Sequence, residues 1–358
     1  MRSKKIAKFI IPAGIVAALT MAAVFTAAIG AKKEQRFHAE FLNLFDTVTE
    51  IIGYTKNKEE FTQIATDIHD ELETYHKLYD IYDDYDGIAN IKTINDNAGK
   101  KPVKVDQKII DLLKFSKYAY EKTDGRVNVA MGSVLSIWHD YRTKGLDDPE
   151  NAKLPPMDEL KAASLHTDCS KIHIDEEAST VYLEDPDMRL DVGAIAKGYA
   201  TELAAKSLEA KGIDHFLLSV GGNIRTVGRR ADGKPWKLDI QNPDTDSEKK
   251  AIDTLDLDGL SLVSSGDYER YYMVNGVRYH HIIDPDTLMP TTYFRAVSIV
   301  CKDSGWADAL STAIFNMPYE KGLAFIESLD GVEAMWVLPD ESIRTSSGYE
   351  AYRSHTVH

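Results

Sequence analysis

The sequence has few of the residues and motifs that commonly reveal an enzyme's chemistry. Only two cysteines occur among its 358 residues, Cys169 and Cys301, so at most one disulfide can form. We favour two small buried thiols. No CxxC pair, HExxH or GxSxG is present, which excludes the common zinc-finger, zinc-protease and hydrolase-elbow sites. GxGxxG and the Walker phosphate loop are missing as well. A functional site must therefore be inferred from weaker signals.

Positive charge is also scarce. The formal net charge is −15 at pH 7, and this balance argues against nucleic acid as a partner because a phosphate backbone needs a basic face. A smaller anionic ligand remains compatible, since helix ends and a bound metal can hold phosphates inside an acidic protein. The chain also has no internal repeat, coiled-coil pattern or low-complexity segment.

One long apolar run is present, and it lies at the N-terminus. After several basic residues, the uncharged stretch from Phe9 to Ala31 is about 23 residues long, enough to cross a bilayer. The basic flank predicts a cytoplasmic N-terminus with the remaining chain outside. The length favours a retained anchor over residues 1–33, so we expect a single-pass protein of the cell membrane. Small residues near Ala31 also allow cleavage, which would give a secreted protein.

Periodicity after residue 34 predicts an α+β (mixed α/β) fold, with central mixed sheets flanked by helices. Residues 34–53 are predicted as a short helix or linker that enters a strand. A strand–helix–strand order near Gly193 suggests a crossover unit. Helical spacing of apolar residues recurs in several other segments, namely 57–82, 106–120, 157–163, 307–317 and 319–329.

The segment YHHIIDPDTLMP at 279–290 is the first of two segments around which we interpret the chain to be organised. The apolar pair after the histidines predicts the end of a buried strand, which Pro285 then stops. His280 and His281 are adjacent, so on a strand they face opposite sides and one of them can enter a pocket. A structural role for that histidine is the competing interpretation.

The second central segment is WADALSTAIFNM at 306–317, predicted to be a helix. Asp308, Ser311 and Thr312 are spaced so that their oxygens share one helical face. Oxygen ligands favour Mg²⁺ or Ca²⁺ over zinc. An anion site and simple helix capping are alternatives that the spacing leaves open.

Two glycine-containing turns are further candidates. DVGAIAKG, from Asp191 to Gly198, predicts a strand-to-helix turn whose unpaired amides suit phosphate oxygens or a metal-bound anion, or a turn that is purely structural. Gly221-Gly222-Asn223 follows a predicted strand and allows either close approach of a substrate or a tight turn.

Taken together and in order, these segments resemble the ApbE family of FAD:protein FMN transferases. The matching segments run from about Phe45 to Pro318 and comprise FDTVTE, GRVNVAMGSVLSIW, LDVGAIAKGYATE, LLSVGGNIRTVG, SSGDYERYYMVNGVRYHHIIDPDTLMP and DALSTA. The resemblance implies that residues 34–358 form a flavin transferase domain. It implies a Mg²⁺-dependent enzyme that moves FMN from FAD to a Thr or Ser of a target protein and releases AMP. The implied acceptor is a flavoprotein subunit of a membrane electron-transfer system.

The resemblance also assigns roles to individual residues. His281 corresponds to the family's proposed catalytic base. The implied metal ligands are the Ala194 carbonyl and the side chains of Asp308 and Thr312, with Ser311 nearby. The residues implied to bind FAD are Phe45, Arg126, Val127, Asn128, Asp191, Lys197 and Ile282, and Tyr82 is our choice for the remaining aromatic contact. The metal-ligand assignment requires that the segments 191–198 and 306–317 meet in the folded chain.

Two segments of the sequence differ from the family pattern, and we also consider other functions. The family usually has Gly after DPxT, where this chain has Leu288-Met289, and IYDDYDGIANIKTIN replaces its usual flavin segment. One alternative is a Mg²⁺-dependent FAD pyrophosphatase that gives FMN and AMP. Others are a surface-anchored flavin-binding protein without turnover and an extracytoplasmic scaffold.

Overall fold

The computed structural model describes residues 33–355. Within this range no helix combines the length and the apolar character that a membrane span requires. The apolar run that we predicted as an anchor, Phe9 to Ala31, lies outside the described residues. The described chain is a mixture of helices and β-sheets, which confirms the α+β class.

Strands are distributed along the described chain and fall into four sheets. They are β1 Gln35–Leu44, β2 Thr47–Thr55, β3 Val103–Lys104, β4 Ile172–Asp175, β5 Thr180–Leu183, β6 Phe216–Val220, β7 Asn223–Val227, β8 Trp236–Gln241, β9 Ala251–Leu257, β10 Ser261–Gly266, β11 Tyr271–Val274, β12 Val277–His280, β13 Ala296–Cys301, β14 Glu333–Val337 and β15 Ile343–Thr345.

The helices lie between these strands. They are α1 Lys58–Tyr79, α2 Ile91–Asp96, α3 Gln107–Lys122, α4 Gly132–Asp147, α5 Met157–Ser164, α6 Ala196–Ala210, α7 Ser304–Phe315 and α8 Tyr319–Glu327, with 3₁₀ turns at Pro149–Asn151, Cys169–Lys171 and Tyr349–Tyr352. Several begin at side-chain caps, as the sequence suggests: Asp106 accepts a hydrogen bond from the Lys108 amide at the start of α3, and Asp303 caps α7.

An eight-stranded sheet in the order β1-β2-β6-β7-β10-β13-β14-β15 forms the centre of the molecule. Alternate residues of its strands face opposite layers. On β13, Val297 and Ile299 pack in the apolar cluster that includes α7 and α8. Ala296 and Val300 pack in the cluster that includes the β8–β9 ribbon. The sheet therefore separates a helical layer from a β-ribbon layer.

The structure corrects three details of the predicted fold. Residues 35–44 form β1 rather than a linker or helix, because this segment pairs with β2 in a long antiparallel ribbon. The predicted crossover unit is also wrong. Helix α6 follows β5 of the three-stranded sheet and leads into β6 of the eight-stranded sheet, so it connects two sheets. All pairings between the named strands are antiparallel, and the sheets are not mixed.

Candidate active site

One large cavity collects nearly all of the predicted site residues. Its volume is about 530 Å³, within the range of roughly 300–1,000 Å³ that is typical of small-molecule sites. The predicted site residues that line it are Phe45, Tyr82, Arg126, Val127, Asn128, Asp191, Ala194, Lys197, His281, Ile282, Asp308 and Thr312. Ser311 is the predicted residue that does not line it. These positions span more than 260 residues of the chain, from Phe45 to Thr312.

The inner wall of the cavity is the contact between α6 and α7. The backbone amide of Gly198 donates a hydrogen bond of 2.9 Å to Oδ2 of Asp308, 110 residues further along the chain. A Cβ atom at position 198 would lie 2.4 Å from both the Asp308 Cβ and the Ser304 carbonyl oxygen. Glycine is therefore required for this close approach. The segments 191–198 and 306–317 thus meet, as the metal-ligand assignment requires.

Asp308 is an acid with little exposure and no cationic partner in direct contact. Its residue is 6% exposed, and none of the ion pairs formed among residues 33–355 involves it. Burial raises the pKa of Asp308, against the opposing effects of Lys197 and the Gly198 amide. A buried carboxylate with so little compensation is a candidate for binding a cation.

The other predicted metal ligands differ in their surroundings. Thr312 lies one turn after Asp308 and lines the cavity, as does Ala194 in the turn before α6. Ser311 is fully buried. Its hydroxyl donates to the Asp308 carbonyl oxygen at 2.9 Å and lies 2.9 Å from the Ser265 hydroxyl. Ser311 thus links α7 to β10 behind the cavity wall.

The two adjacent histidines have separate environments. Nδ1 of His280 accepts a hydrogen bond from the Ile282 amide, and its Nε2 lies 2.8 Å from the Thr291 carbonyl oxygen. These contacts assign His280 the neutral tautomer with a proton on Nε2. His281 lines the cavity, and its Nδ1 is buried without a partner among the described residues. Burial, followed by Arg270 and His280, lowers the pKa of His281 well below 6.5.

The Asp-Pro turn after the histidines is closed by several hydrogen bonds. Asp284 is buried and its carboxylate pairs with Arg126 at 2.9 Å. Leu288 donates its amide to the Asp284 carbonyl oxygen at 2.8 Å. Its φ of 60° is in the left-handed region that favours glycine. The position where the resemblance leads us to expect glycine is thus occupied by Leu288, whose side chain is buried in the cluster with Trp138.

Two aromatic residues approach the cavity from the tip of the β1–β2 ribbon and from the loop after α1. Phe45 has a φ of 53°, and its amide donates to Nδ1 of His76 at 3.2 Å. Tyr82 is 56% exposed, and its hydroxyl lies 2.6 Å from Nδ1 of His139. Both rings can therefore offer a face or an edge to a planar ligand.

The remaining predicted residues are positioned by backbone contacts. The Asp191 amide donates to the Val129 carbonyl oxygen at 2.8 Å, and its carboxylate accepts from the Gly193 amide. Asn128 donates its side-chain amide to the Thr167 carbonyl oxygen. Val127 and Ile282 are buried, so their side chains form apolar parts of the cavity wall.

Sequence reasoning missed several polar residues of the cavity. His139 and Arg270 line it, and Arg142 lines a small adjoining cavity. The spacing of Met131, Leu135, His139 and Arg142 along α4 is the signal that could have identified two of them, because these intervals share one helical face.

Asn223 also lines the main cavity, after a Gly-Gly turn in which both glycines have positive φ.

Comparison with known proteins supports the resemblance seen in the sequence. The ApbE family profile matches residues 45–336. A "FAD:protein FMN transferase" of Treponema pallidum is 36% identical over 272 residues, which cover 72% of this chain and 73% of that protein. A protein of the same name from Klebsiella pneumoniae is 30% identical over 260 residues, covering 72% of this chain and 78% of that one.

Solved structures agree with the sequence relatives. The crystal structure of the ApbE protein from Thermotoga maritima has a TM-score of 0.78 and 28% identity, and the match covers 90% of this chain and 100% of that one. The flavin transferase ApbE from Vibrio cholerae has a TM-score of 0.74 and 23% identity, with 89% and 99% coverage, and shows the likeness in fold alone. The cavity described above therefore lies in a protein that belongs to the ApbE family.

Proposed function

We propose that this protein is a Mg²⁺-dependent FAD:protein FMN transferase, which moves FMN from FAD to a Thr or Ser hydroxyl of another protein and releases AMP. The observation that carries the proposal is the convergence of Asp308, Thr312, Ala194 and His281 on one cavity. The names of the relatives support the same activity.

The residues of the inner wall suit a magnesium ion. The donors are a carboxylate, a hydroxyl and a backbone carbonyl, which are the hard oxygen ligands that Mg²⁺ prefers. The buried carboxylate of Asp308 has no ion-pair partner among residues 33–355, so a cation would offset the cost of its burial. Asp308, Thr312 and the Ala194 carbonyl would hold the ion. When bound, Mg²⁺ would neutralise charge on the pyrophosphate of FAD.

The cavity walls would orient FAD. Phe45 and Tyr82 offer aromatic surface for the flavin ring or the adenine. Lys197 and the amides of the turn before α6 would contact phosphate oxygens. Val127 and the Ile282 backbone would contact the less polar parts of the ligand. Such positioning lowers the entropic part of the barrier.

His281 would remove the proton from the acceptor hydroxyl. Its lowered pKa keeps the imidazole neutral at physiological pH, as a general base requires. Because Nδ1 is enclosed, Nε2 is the nitrogen left to accept the proton. The hydroxyl oxygen would form a bond to the phosphorus of the FMN half, the bond from that phosphorus to the bridging oxygen would break, and AMP would leave with the bridging oxygen.

We also propose the cellular setting from the sequence. Residues 1–33 would anchor the protein in the cell membrane, with residues 34–358 outside, so that the acceptor would be an extracytoplasmic subunit of a membrane electron-transfer system. Fractionation of cells and protease treatment of intact spheroplasts test this setting. Recovery of the protein in the cytoplasm, protected from protease, would contradict it.

Mass spectrometry of acceptor proteins tests the activity. Extracytoplasmic domains of membrane redox proteins from the same cell would be incubated with the enzyme, FAD and Mg²⁺, while AMP is measured by chromatography. We expect an FMN adduct on one Thr or Ser, and none after that residue is changed to Val or Ala. AMP release without any adduct would indicate the pyrophosphatase instead. The absence of both products would contradict flavin chemistry at this site.

A further inference from the structure

Two arginines beside the cavity have no carboxylate partner in the described part of the chain. Arg142 lies on α4, and Arg270 lies in the turn between β10 and β11. Many other arginines of this acidic protein form ion pairs, namely Arg126, Arg225, Arg229, Arg230, Arg278, Arg295 and Arg353. With a net charge of −15, carboxylates are plentiful. Arg36, Arg189 and Arg344 also form no ion pair among residues 33–355, but within this group only Arg142 and Arg270 line the two cavities.

Both arginines lie next to His281. Arg142 and His281 line a small cavity of about 10 Å³, which is the space of about one water molecule. Arg270 and His281 line the main cavity. His139, one turn before Arg142 on α4, borders both spaces. The two arginines therefore border adjoining spaces, both of which His281 also lines.

The two cations also act on each other. Burial, followed by the charge of Arg270, lowers the pKa of Arg142. Arg270 is the first charged group among the causes that lower the pKa of His281. A guanidinium stays protonated at physiological pH. Positive charge therefore accumulates at this side of the cavity, at a cost that a bound anion would remove.

Phosphate is the anion that this arrangement fits best. The planar guanidinium donates two parallel hydrogen bonds to phosphate oxygens, and two such groups can hold a dianion. The inner wall already supplies oxygen donors suited to a cation. The arginines would thus neutralise negative charge on a phosphate that lies too far from a metal ion at Asp308.

We propose that Arg142 and Arg270 form a phosphate subsite that binds the adenylate phosphate of FAD, the group that leaves as AMP. The proposal rests on the proposed transferase function. As the bond from the FMN phosphorus to the bridging oxygen breaks, negative charge grows on the departing adenylate phosphate. The two guanidinium groups would bind this phosphate both in FAD and in the departing AMP, so their contribution is measured by the affinity for AMP.

Calorimetric titration separates this subsite from general effects on the fold. The full-length enzyme with Mg²⁺ would be titrated with AMP and, separately, with riboflavin, which has no phosphate. Arg142→Gln and Arg270→Gln would be compared with Arg229→Gln, an exposed arginine paired with Asp258 at 2.6 Å. Each subsite variant should weaken AMP binding about tenfold or more, the usual effect of losing a charged hydrogen bond. Riboflavin binding should stay within about twofold, and the control should bind both ligands normally.

The salt dependence provides a second readout. The affinity of the wild-type enzyme for AMP should fall as the salt concentration rises. In the double variant Arg142→Gln/Arg270→Gln this fall should be less steep, because fewer charged contacts remain to be screened. If the Arg142→Gln variant does not fold, the Arg270→Gln variant, which changes an exposed residue, is sufficient to test the subsite.

Unchanged AMP affinity in the subsite variants would overturn the proposal. A selective rise in the KM for the acceptor protein, with AMP binding intact, would overturn it as well, since the arginines would then recognise the acceptor. Failure of the wild-type enzyme to bind FAD or AMP would instead refute the transferase function itself.

Discussion

The inner and outer walls of the cavity are built in different ways. The inner wall, defined by Ala194, Gly198, Asp308 and Thr312, is fixed by a backbone amide that donates to a buried carboxylate across two helices. The outer wall, defined by Tyr82, His139 and Arg270, consists of side chains on a loop, a helix and a turn. One of its members, Tyr82, is 56% exposed.

This difference separates two tasks. A metal site needs ligands held within a fraction of an ångström, and helix-to-helix contact through a glycine provides such rigidity. A site that admits a large dinucleotide and then a protein needs surfaces that can adjust, and exposed side chains on loops provide them. Changes to the inner wall should therefore abolish chemistry, whereas changes to the outer wall should alter binding.

The largest effect is expected from removing the inner carboxylate. Asp308→Ala should lower kcat by more than about 10³-fold, because the Mg²⁺ ion that we propose it holds would contribute several kcal/mol to charge stabilisation. Asp308→Asn is the matched control for folding, since its side-chain oxygen can still accept from the Gly198 amide. It should unfold near the wild-type temperature and yet be nearly inactive. Substantial turnover of either variant would mean that the metal is held elsewhere.

The next effect concerns the two histidines. His281→Ala should lower kcat by about 10²- to 10³-fold through loss of the general base, with the thermal unfolding temperature little changed. His280→Ala should instead lower that temperature, because two buried hydrogen bonds are lost. Rates and unfolding curves of the two variants, measured side by side, check the assignment. The reverse pattern would show that His280 carries the chemistry.

A substitution at Gly198 tests whether the inner wall is as rigid as its geometry suggests. Gly198→Ala places a methyl group 2.4 Å from Asp308 and from the Ser304 carbonyl, so the two helices must separate. We expect about 1–3 kcal/mol lower stability from overpacking and about 10²-fold lower activity from displaced ligands. Gly322→Ala in α8, where an added Cβ would meet its nearest atom at 3.5 Å and φ is not positive, is the control for a glycine substitution as such. Wild-type activity of Gly198→Ala would show that the wall adapts.

The pH profile should reveal the burial of His281. Its pKa lies below the ordinary 6.5, so the active neutral form should persist below pH 6.5 and kcat/KM should fall about tenfold per unit only at lower pH. The same shift predicts that stability decreases as pH falls from 6.5 toward the folded-state pKa, since the unfolded chain binds the proton first. An acid limb centred above 6.5 would contradict this environment.

The smallest effect is expected at the outer wall. Tyr82→Phe keeps the ring but removes the hydroxyl that lies 2.6 Å from Nδ1 of His139. Loss of this hydrogen bond should raise the KM for FAD about 3- to 10-fold and leave kcat nearly unchanged. Steady-state kinetics at several FAD concentrations measure both constants. A loss in kcat alone would place Tyr82 in the chemical step.

Local pattern predicted much of the fold. The helical spacing of apolar residues within 306–317 predicted the helix that forms α7, and the same spacing within 106–120 predicted α3. Residues 35–44 were not recognised as a strand. Their partner is β2, and the ribbon depends on pairing that local periodicity does not record.

The same limit applies to the site. Each segment that lines the cavity carried a signal of its own, but the meeting of Gly198 with Asp308 joins residues 110 positions apart. No spacing rule predicts such a contact; only the family resemblance implied it. Arg142 and Arg270 were missed because an isolated arginine on a helix or turn is ordinary. Their meaning comes from their place beside the cavity without an ion pair among residues 33–355, which only the folded chain reveals.

Anomalous scattering tests the metal site most directly. Crystals grown with FAD and Mn²⁺, in place of the weakly scattering Mg²⁺, should show one strong peak about 2.1 Å from the Asp308 carboxylate, the Thr312 hydroxyl and the Ala194 carbonyl oxygen. A peak that contacts phosphate but none of these three atoms, or no peak in this cavity, would contradict the account.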